Sequence, residues 1–411
     1  MSVYNEFSPS QKVAFDAANT GRNLFITGSG GNGKSYLIKK LITAETIVCA
    51  PTGIAALNIS GVTCHKAFGL PIGLPTEDEK WKITKEQSFL LQEAERIIIS
   101  EIGMVRIDYF DLIDAKLKKI RGNKNPFGGV QMILEGDFFQ VEPILSKNEK
   151  PFFDKKYKHL FCFGSKKWNF EMFNLYHPQR HKKKGQYDLL NKIRIGNTTA
   201  LSELVLEAKP YNLSDENLHL CCYKEDARNV NDYFYKKIIA DEVVFFAEKW
   251  GDITEKDVMT HETLKIKKGI KVLLCANAED YVNGDSGVIT YIGKTYIMVR
   301  LNSGRDVKVE RFVWKKYSYK VCRKQIIKEV TGEFEQFPIT LGWAISIHKS
   351  QGMTLDSATI HTGKGCFSHG QFYVAVSRVK DLNELSLLRQ EKITKRDIIV
   401  RDEVKAFYQN D

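Results

Sequence analysis

The residues best suited to chemistry lie at 24–35, in the run LFITGSGGNGKS. Gly28, Gly33, Lys34 and Ser35 fall at the spacing G-x-x-x-x-G-K-[ST], with Gly30, Gly31 and Asn32 filling the loop. In that pattern successive backbone N–H groups curl around a polyphosphate. Glycines permit the curl, and a following helix turns its positive dipole end toward the phosphates. Lys34 would reach the β- and γ-phosphates, and the Ser35 hydroxyl would ligate Mg2+. The apolar residues 24–27 predict a buried strand, and YLIKKLI after the loop has helical spacing. These residues together imply binding of a nucleoside triphosphate.

Other candidate groups recur at the ends of apolar runs. Residues 96–104, RIIISEIGM, read as a strand ending in Ser100-Glu101. In phosphate-loop ATPases such a strand carries an Asp for Mg2+, often followed by a Glu that polarises the attacking water. Here Ser100 holds the Asp position and Glu101 the Glu position, so Mg2+ is expected to be held more weakly and hydrolysis to be slow. A third apolar strand at 130–134 ends in Gly136-Asp137-Phe138-Phe139-Gln140, and the Gln140 amide can donate to the γ-phosphate or the attacking water. Upstream, Ser8-Pro9 marks a helix start, and Gln11 on that helix could read an adenine edge, although taken alone it reads more readily as a surface glutamine. Residues 46–50 form a short strand entering the turn Thr52-Gly53 and an alanine-rich helix. Such a turn can hold a nucleic-acid phosphate, with Thr52, Gly53, His65 and Lys66 as candidates.

The elements that must position these groups alternate strand and helix, the signature of a parallel α/β sheet. At 411 residues the chain has room for two or three domains. No run is long and apolar enough to span a membrane, and MSVYNEFSPSQ lacks the apolar core of a signal peptide. Eight scattered cysteines, with one adjacent pair at Cys221-Cys222 and no C-x-x-C, argue against a zinc site or a disulfide framework. Net charge +11 suits a nucleic-acid partner and equally suits solvated lysine-rich faces. From roughly 265 to 335 the texture changes to short β-rich runs separated by Asn283-Gly284, Ile292-Gly293 and Asn302-Ser303-Gly304. That is a small antiparallel barrel or meander, carrying basic runs with interleaved aromatics.

Eight blocks, FSPSQ, GSGGNGKS, APTGIAALNISGVTCH, IISEIGMV, PFGGVQMILEGDFFQ, VNGDSG, WAISIHKSQGMTLD and GQFYVAVSRV, run in order from residue 7 to 379. With them the chain resembles the Pif-family (petite integration frequency) superfamily-one helicases, related to RecD and Dda. The resemblance implies two RecA-like lobes with ATP in the cleft between them, which closes and reopens to ratchet 5′-to-3′ along single-stranded DNA. The implied first lobe covers 1–67 and 90–174, with a small inserted segment at 68–89 whose 70–75 loop is a candidate wedge. The second covers 175–264 and 336–411, with an SH3-like insertion at 265–335. Arg180 becomes a γ-phosphate contact, and Arg378, expected on the helix of 371–379, becomes an arginine finger. His348, Lys349 and Ser350, read as the end of a helix, become single-stranded DNA contacts. Departures are Ser100 for Asp, Gly103 for Ser, and Gln179-Arg180-His181 where an aromatic-Arg-Gln is usual. The implied cofactors are ATP and Mg2+, and the implied partners are single-stranded DNA and its junctions with duplex. The protein is expected to act as a monomer, in the cytoplasm of a bacterial, phage or viral setting or in a eukaryotic nucleus. Two rivals stand beside this reading: a nucleotide-dependent DNA clamp with weak hydrolysis, which Ser100 favours, and an ATPase acting on protein complexes.

Overall fold

In the computed structural model, which describes residues 6–71, 73–75, 80–178, 180, 183–211, 217–322, 325–388 and 393–409, contacts group the chain into two units. The first contains Met1–Gln179, Lys315–Gly332 and Asp402–Asp411; the second contains Arg180–Trp314 and Glu333–Arg401.

Helix α1 (Pro9–Ala18) starts where sequence chemistry requires, with Pro9 in its first turn and Ser8 in a reciprocal capping box with Gln11. It is followed by β1 (Leu24–Thr27), α2 (Lys34–Lys40), β2 (Thr46–Ala50), α3 (Gly53–Asn58), β3 (Val62–Thr63) and α4 (Cys64–Phe68). Then come α5 (Lys85–Glu93), β4 (Arg96–Ile99), α6 (Ile107–Arg121), β5 (Gln131–Glu135), α7 (Lys150–Phe153) and β6 (Glu171–Asn174). The six strands form one sheet in the order β3-β2-β4-β5-β1-β6, with parallel pairings throughout. β1, β2 and β5 are buried at every residue, which is why they read as continuous apolar runs and not as alternation. Leu24, Ile26, Val48, Ile98 and Ile133 pack with Ala14 and Ala17 of α1 and Leu37 and Ile38 of α2. Each large apolar side chain so buried contributes about 1.5–3 kcal/mol. In such sheets ligands bind at the carboxyl ends of the strands, which is where the candidate residues lie.

The second unit opens with α8 (Lys184–Arg194), α9 (Ala200–Glu207), β7 (Leu218–Cys221) and α10 (Lys224–Lys237). A β-rich stretch follows: β8 (Glu242–Phe246), β9 (Glu248–Gly251), β10 (Thr263–Lys267), β11 (Lys271–Leu274), β12 (Ser286–Ile292), β13 (Tyr296–Leu301), β14 (Asp306–Glu310), β15 (Phe312–Cys322), β16 (Gln325–Gln336) and β17 (Ile339–Leu341). Its main sheet is antiparallel in the order β14-β13-β12-β11-β17, over a core that includes Val272, Ile289, Val299, Val307 and Phe337. The strands of this insertion thus run from Glu242 to Leu341, beyond the 265–335 expected, and the 315–332 part of β15 and β16 groups with the first unit. The α/β pattern resumes with β18 (Ala344–Ser346), β19 (Ala358–His361), α11 (Gln371–Val376) and β20 (Leu385–Leu387), in a parallel sheet ordered β18-β7-β19-β20. The mixed α/β class with two parallel sheets is as expected.

Two local expectations need correction. The segment ending at 348–352 is no helix: Ala344–Ser346 is a strand paired with β7, and turns follow it. A three-residue strand buried on both faces shows no alternation to distinguish it from a helical turn. Arg378 likewise lies beyond α11, which ends at Val376. Last in the chain, α12 (Asp402–Gln409) groups with the first unit, where the sequence reading has 336–411 in the second. Its Phe407 stacks on Phe163 with centroids 4.5 Å apart and meets Phe25, Phe138 and Trp168.

Candidate nucleotide and DNA sites

The phosphate loop joins β1 to α2 as its spacing requires. Gly28 has φ 142°, and a Cβ there would meet the Leu175 carbonyl oxygen at 2.4 Å, so only glycine fits. Gly30 and Gly31 form the turn, and Gly33, left-handed at φ 80°, caps α2. Lys34 is 8% exposed and curls back into the loop, its Nζ donating to the Gly28 carbonyl at 2.7 Å and the Ser29 carbonyl at 3.2 Å. An ammonium held on loop carbonyls is poised to exchange them for phosphate oxygens. Ser35 is exposed in the first turn of α2. Asn32 is buried and its Nδ2 donates to the Leu175 carbonyl. Gln11 braces the loop: its Nε2 donates to the Gly33 carbonyl at 3.1 Å while its Oε1 accepts from Ser8 N–H at 2.8 Å.

Two strands away, the end of β4 holds the expected acid in an unusual backbone. Glu101 lies in the left-handed region at φ 55°, ψ 44°, a conformation that costs a non-glycine residue on the order of 1–3 kcal/mol and clusters at functional sites. Ser100 is 3% exposed, and its Oγ donates to Glu135 Oε2 at 2.6 Å; the Glu101 N–H points to the same oxygen at 3.4 Å. Glu135 is a residue the sequence reading missed, although a carboxylate closing the strand QMILE just before Gly136 was visible as a signal. Gln140, 7% exposed, follows β5 in a turn where its N–H donates to the Asp137 carbonyl at 3.0 Å. The hydroxyl of Ser35 and the carboxylates of Glu101 and Glu135 are oxygen donors of the kind a hard divalent cation takes. Among the described residues no group of three or more His, Cys, Asp or Glu is gathered into a metal cage. This donor set fits Mg2+, which is normally held by one or two carboxylates together with water and substrate phosphates.

Within the second unit, Arg180 and Arg378 each donate to carbonyl and hydroxyl oxygens. Arg180 donates to Thr354 Oγ1 at 3.1 Å and to the carbonyls of Ser377 at 2.8 Å and Met353 at 3.2 Å. Arg378, 2% exposed, donates to the Val374 carbonyl at 2.8 Å and Ser377 Oγ at 2.7 Å. Burial and the neighbouring Arg378 charge pull Arg180 down to about 9. Two adjacent guanidinium groups set among carbonyls and hydroxyls form a place where an added anion is stabilised.

The DNA candidates divide by exposure. Thr52 caps α3, its Oγ1 accepting from Ala55 N–H at 3.2 Å, and Gly53 opens that helix. The His65 ring stands edge-on to Tyr109 at 5.2 Å, and burial and Arg106 lower its pKa. Lys66 Nζ donates to Thr331 Oγ1 at 3.0 Å. In the second unit Lys349 is exposed, and His348 is half-buried with its pKa lowered by burial and Lys224. Ser350 is fully buried and donates to the Ile347 carbonyl at 2.8 Å, so its side chain faces the protein interior and not a DNA backbone. In the 70–75 segment, the Tyr109 hydroxyl donates to the carbonyls of Pro71 at 3.1 Å and Gly73 at 2.7 Å. Ile72 and 76–79 of the 68–89 segment, and Gln179 and His181 beside Arg180, lie outside the described residues.

Comparison with known proteins places the chain in a family. The family profile described as PIF1-like helicase matches residues 6–207. The chain is 31% identical to the ATP-dependent DNA helicase Pif1 of Bdellovibrio bacteriovorus, over 98% of this chain and 92% of that one. It is 30% identical to the ATP-dependent DNA helicase PIF1 of Xenopus laevis over 93% of this chain, and spans 61% of that longer relative. The structure resembles that of Bacteroides sp Pif1 in complex with ADP-AlF4, with TM-score 0.89 and 32% identity, covering 98% of this chain and 96% of that one. Against the Bacteroides protein bound to single-stranded DNA the TM-score is 0.69, at 33% identity and the same coverage. The two parallel sheets are those of RecA-like lobes, and the chain belongs to the PIF1-like helicase family.

Proposed function

We propose that this chain is an ATP-dependent DNA helicase that moves 5′-to-3′ along single-stranded DNA and splits the duplex ahead of it. The observation that carries the reading is the phosphate loop, with Lys34 drawn onto the Gly28 and Ser29 carbonyls. Lys34 takes the β- and γ-phosphates, Gln11 stays beside the loop near the base, and Ser35 offers its hydroxyl to Mg2+, which when bound neutralises phosphate charge. Glu101 polarises the attacking water, Gln140 senses the γ-phosphate, and Arg180 and Arg378 stabilise the charge that develops on it. Such arginines are worth roughly 10³-fold or more in rate. Thr52, Gly53, His65 and Lys66 of the first unit and His348 and Lys349 of the second contact the DNA backbone. The 70–75 loop serves as the wedge against a duplex that costs about 1.4 kcal/mol per base-pair step to open. The named activity of the relatives and the DNA-bound Bacteroides structure support this reading.

The test is ATP-driven unwinding of duplexes carrying a 5′ or a 3′ single-stranded tail. Opening of the 5′-tailed duplex alone is expected; opening of only the 3′-tailed duplex overturns the polarity. DNA binding without any ATP-driven opening leaves the clamp as the correct description.

A further inference from the structure

We propose that Glu135 is the carboxylate of the Mg2+ site, supplying from β5 the negative charge that Ser100 on β4 lacks. The inference rests on the ATP reading above and adds a residue to that site.

Register brings the two side chains together. β4 and β5 pair in parallel from Arg96↔Gln131 to Ile99↔Leu134, so the next residues, Ser100 and Glu135, stand side by side where both strands end. The 2.6 Å hydrogen bond from Ser100 Oγ to Glu135 Oε2 places the carboxylate against the hydroxyl. Relative to an acid on β4, the charge has moved one strand over, about 4.8 Å. It has moved toward the phosphate loop: β5 lies between β4 and β1, and Glu135 is in register with Ile26, two residues before Gly28.

Burial supplies a second argument. Glu135 is 2% exposed, and an ionised carboxylate taken out of water is costly unless it gains a counter-charge. Its described hydrogen bonds come from a hydroxyl and a backbone N–H, neither of them a cation. Both fall on Oε2, which leaves Oε1 for a metal or a metal-bound water. A divalent cation is the counter-charge that fits an oxygen-only pocket beside a polyphosphate site. Ser100 then acts as a positioning residue, fixing the carboxylate through Oε2, and the same oxygen holds the Glu101 N–H in its left-handed turn. On this assignment the chain keeps an ordinary metal affinity, in place of the weak one expected from Ser100 alone. Ser100→Asp by itself would set two carboxylates against each other and gain nothing.

The experiment measures binding of a fluorescent ADP analogue by the full chain during Mg2+ titration, with EDTA as the metal-free baseline. Glu135→Gln should raise the Mg2+ midpoint about tenfold or more, the usual loss when a group of a metal site is removed, and leave the EDTA affinity within about twofold. The exchange Ser100→Asp with Glu135→Thr, which returns the carboxylate to β4, should restore the midpoint to within about threefold of wild type. A Glu135→Gln midpoint unchanged while wild type binds the nucleotide overturns the assignment and leaves the ATP reading intact. Wild-type binding that is absent, or indifferent to Lys34→Ala, overturns the ATP reading and this inference with it. Where Glu135→Gln fails to fold by circular dichroism, the exchange variant decides: a near-wild-type midpoint supports the assignment, and a tenfold loss overturns it.

Discussion

The C-terminal helix should be a structural brace of the nucleotide-binding unit, and Phe407→Ala tests this directly. Phe407 is partly buried and contacts four rings outside α12: Phe163 at 4.5 Å, Phe138 at 5.4 Å, Trp168 at 5.6 Å and Phe25 at 6.0 Å between centroids. A fully buried Phe→Ala change costs about 3–5 kcal/mol; with the Phe407 ring only partly covered, about 2 kcal/mol is expected. For a unit of this size that corresponds to a fall in Tm of about 4–8 °C. Tyr408→Phe removes only a hydroxyl, which contacts Thr27 Oγ1 at 2.8 Å and accepts from Phe138 N–H at 3.3 Å. Its cost should be about 1 kcal/mol. Because those partners end β1 and follow Gly136-Asp137, both variants should also raise the nucleotide concentration needed for half-maximal hydrolysis. Thermal melting followed by near-ultraviolet circular dichroism, with ATPase titrations alongside, measures both effects. A Phe407→Ala protein melting within 1 °C of wild type would refute the bracing argument, since four lost ring contacts cannot vanish from the balance.

Lys34→Ala should cut DNA-stimulated phosphate release at least about 100-fold, as loss of a charge-stabilising donor does, with a Tm near that of wild type. Binding to single-stranded DNA should weaken steeply with added salt. Lys349→Ala should lower affinity uniformly across sequences, whereas buried Ser350→Ala should leave affinity alone and cost about 1 kcal/mol in urea unfolding. Burial, His361 and Lys271 lower His219 to about 4 from its ordinary 6.5. The folded state therefore keeps His219 neutral, and its share of stability is full above pH 6.5 and lost as pH falls toward 4, by up to about 3 kcal/mol. Urea midpoints of wild type and His219→Gln measured across that window should converge at the acid end.

What the sequence determined by itself was local. Gly28, Gly33, Lys34 and Ser35 act over eight residues, and a strand, a turn and a helix N-terminus follow from their spacing and from the freedom of glycine. Glu101 and Gln140 were legible because each closes an apolar run. The parallel class was legible because buried strands read as unbroken Ile, Val and Leu. Tertiary structure decided the rest, through contacts between distant segments that no local pattern records. Glu135 meets Ser100 only because β4 and β5 pair in one register across 35 residues. Ser350 turned inward because Ala344–Ser346 pairs with β7 as a strand, a pairing worth more than any helical tendency of so short a run. α12 returned to β1 across 381 residues because its aromatic face completes a ring cluster there, and burial of apolar area is indifferent to separation along the chain.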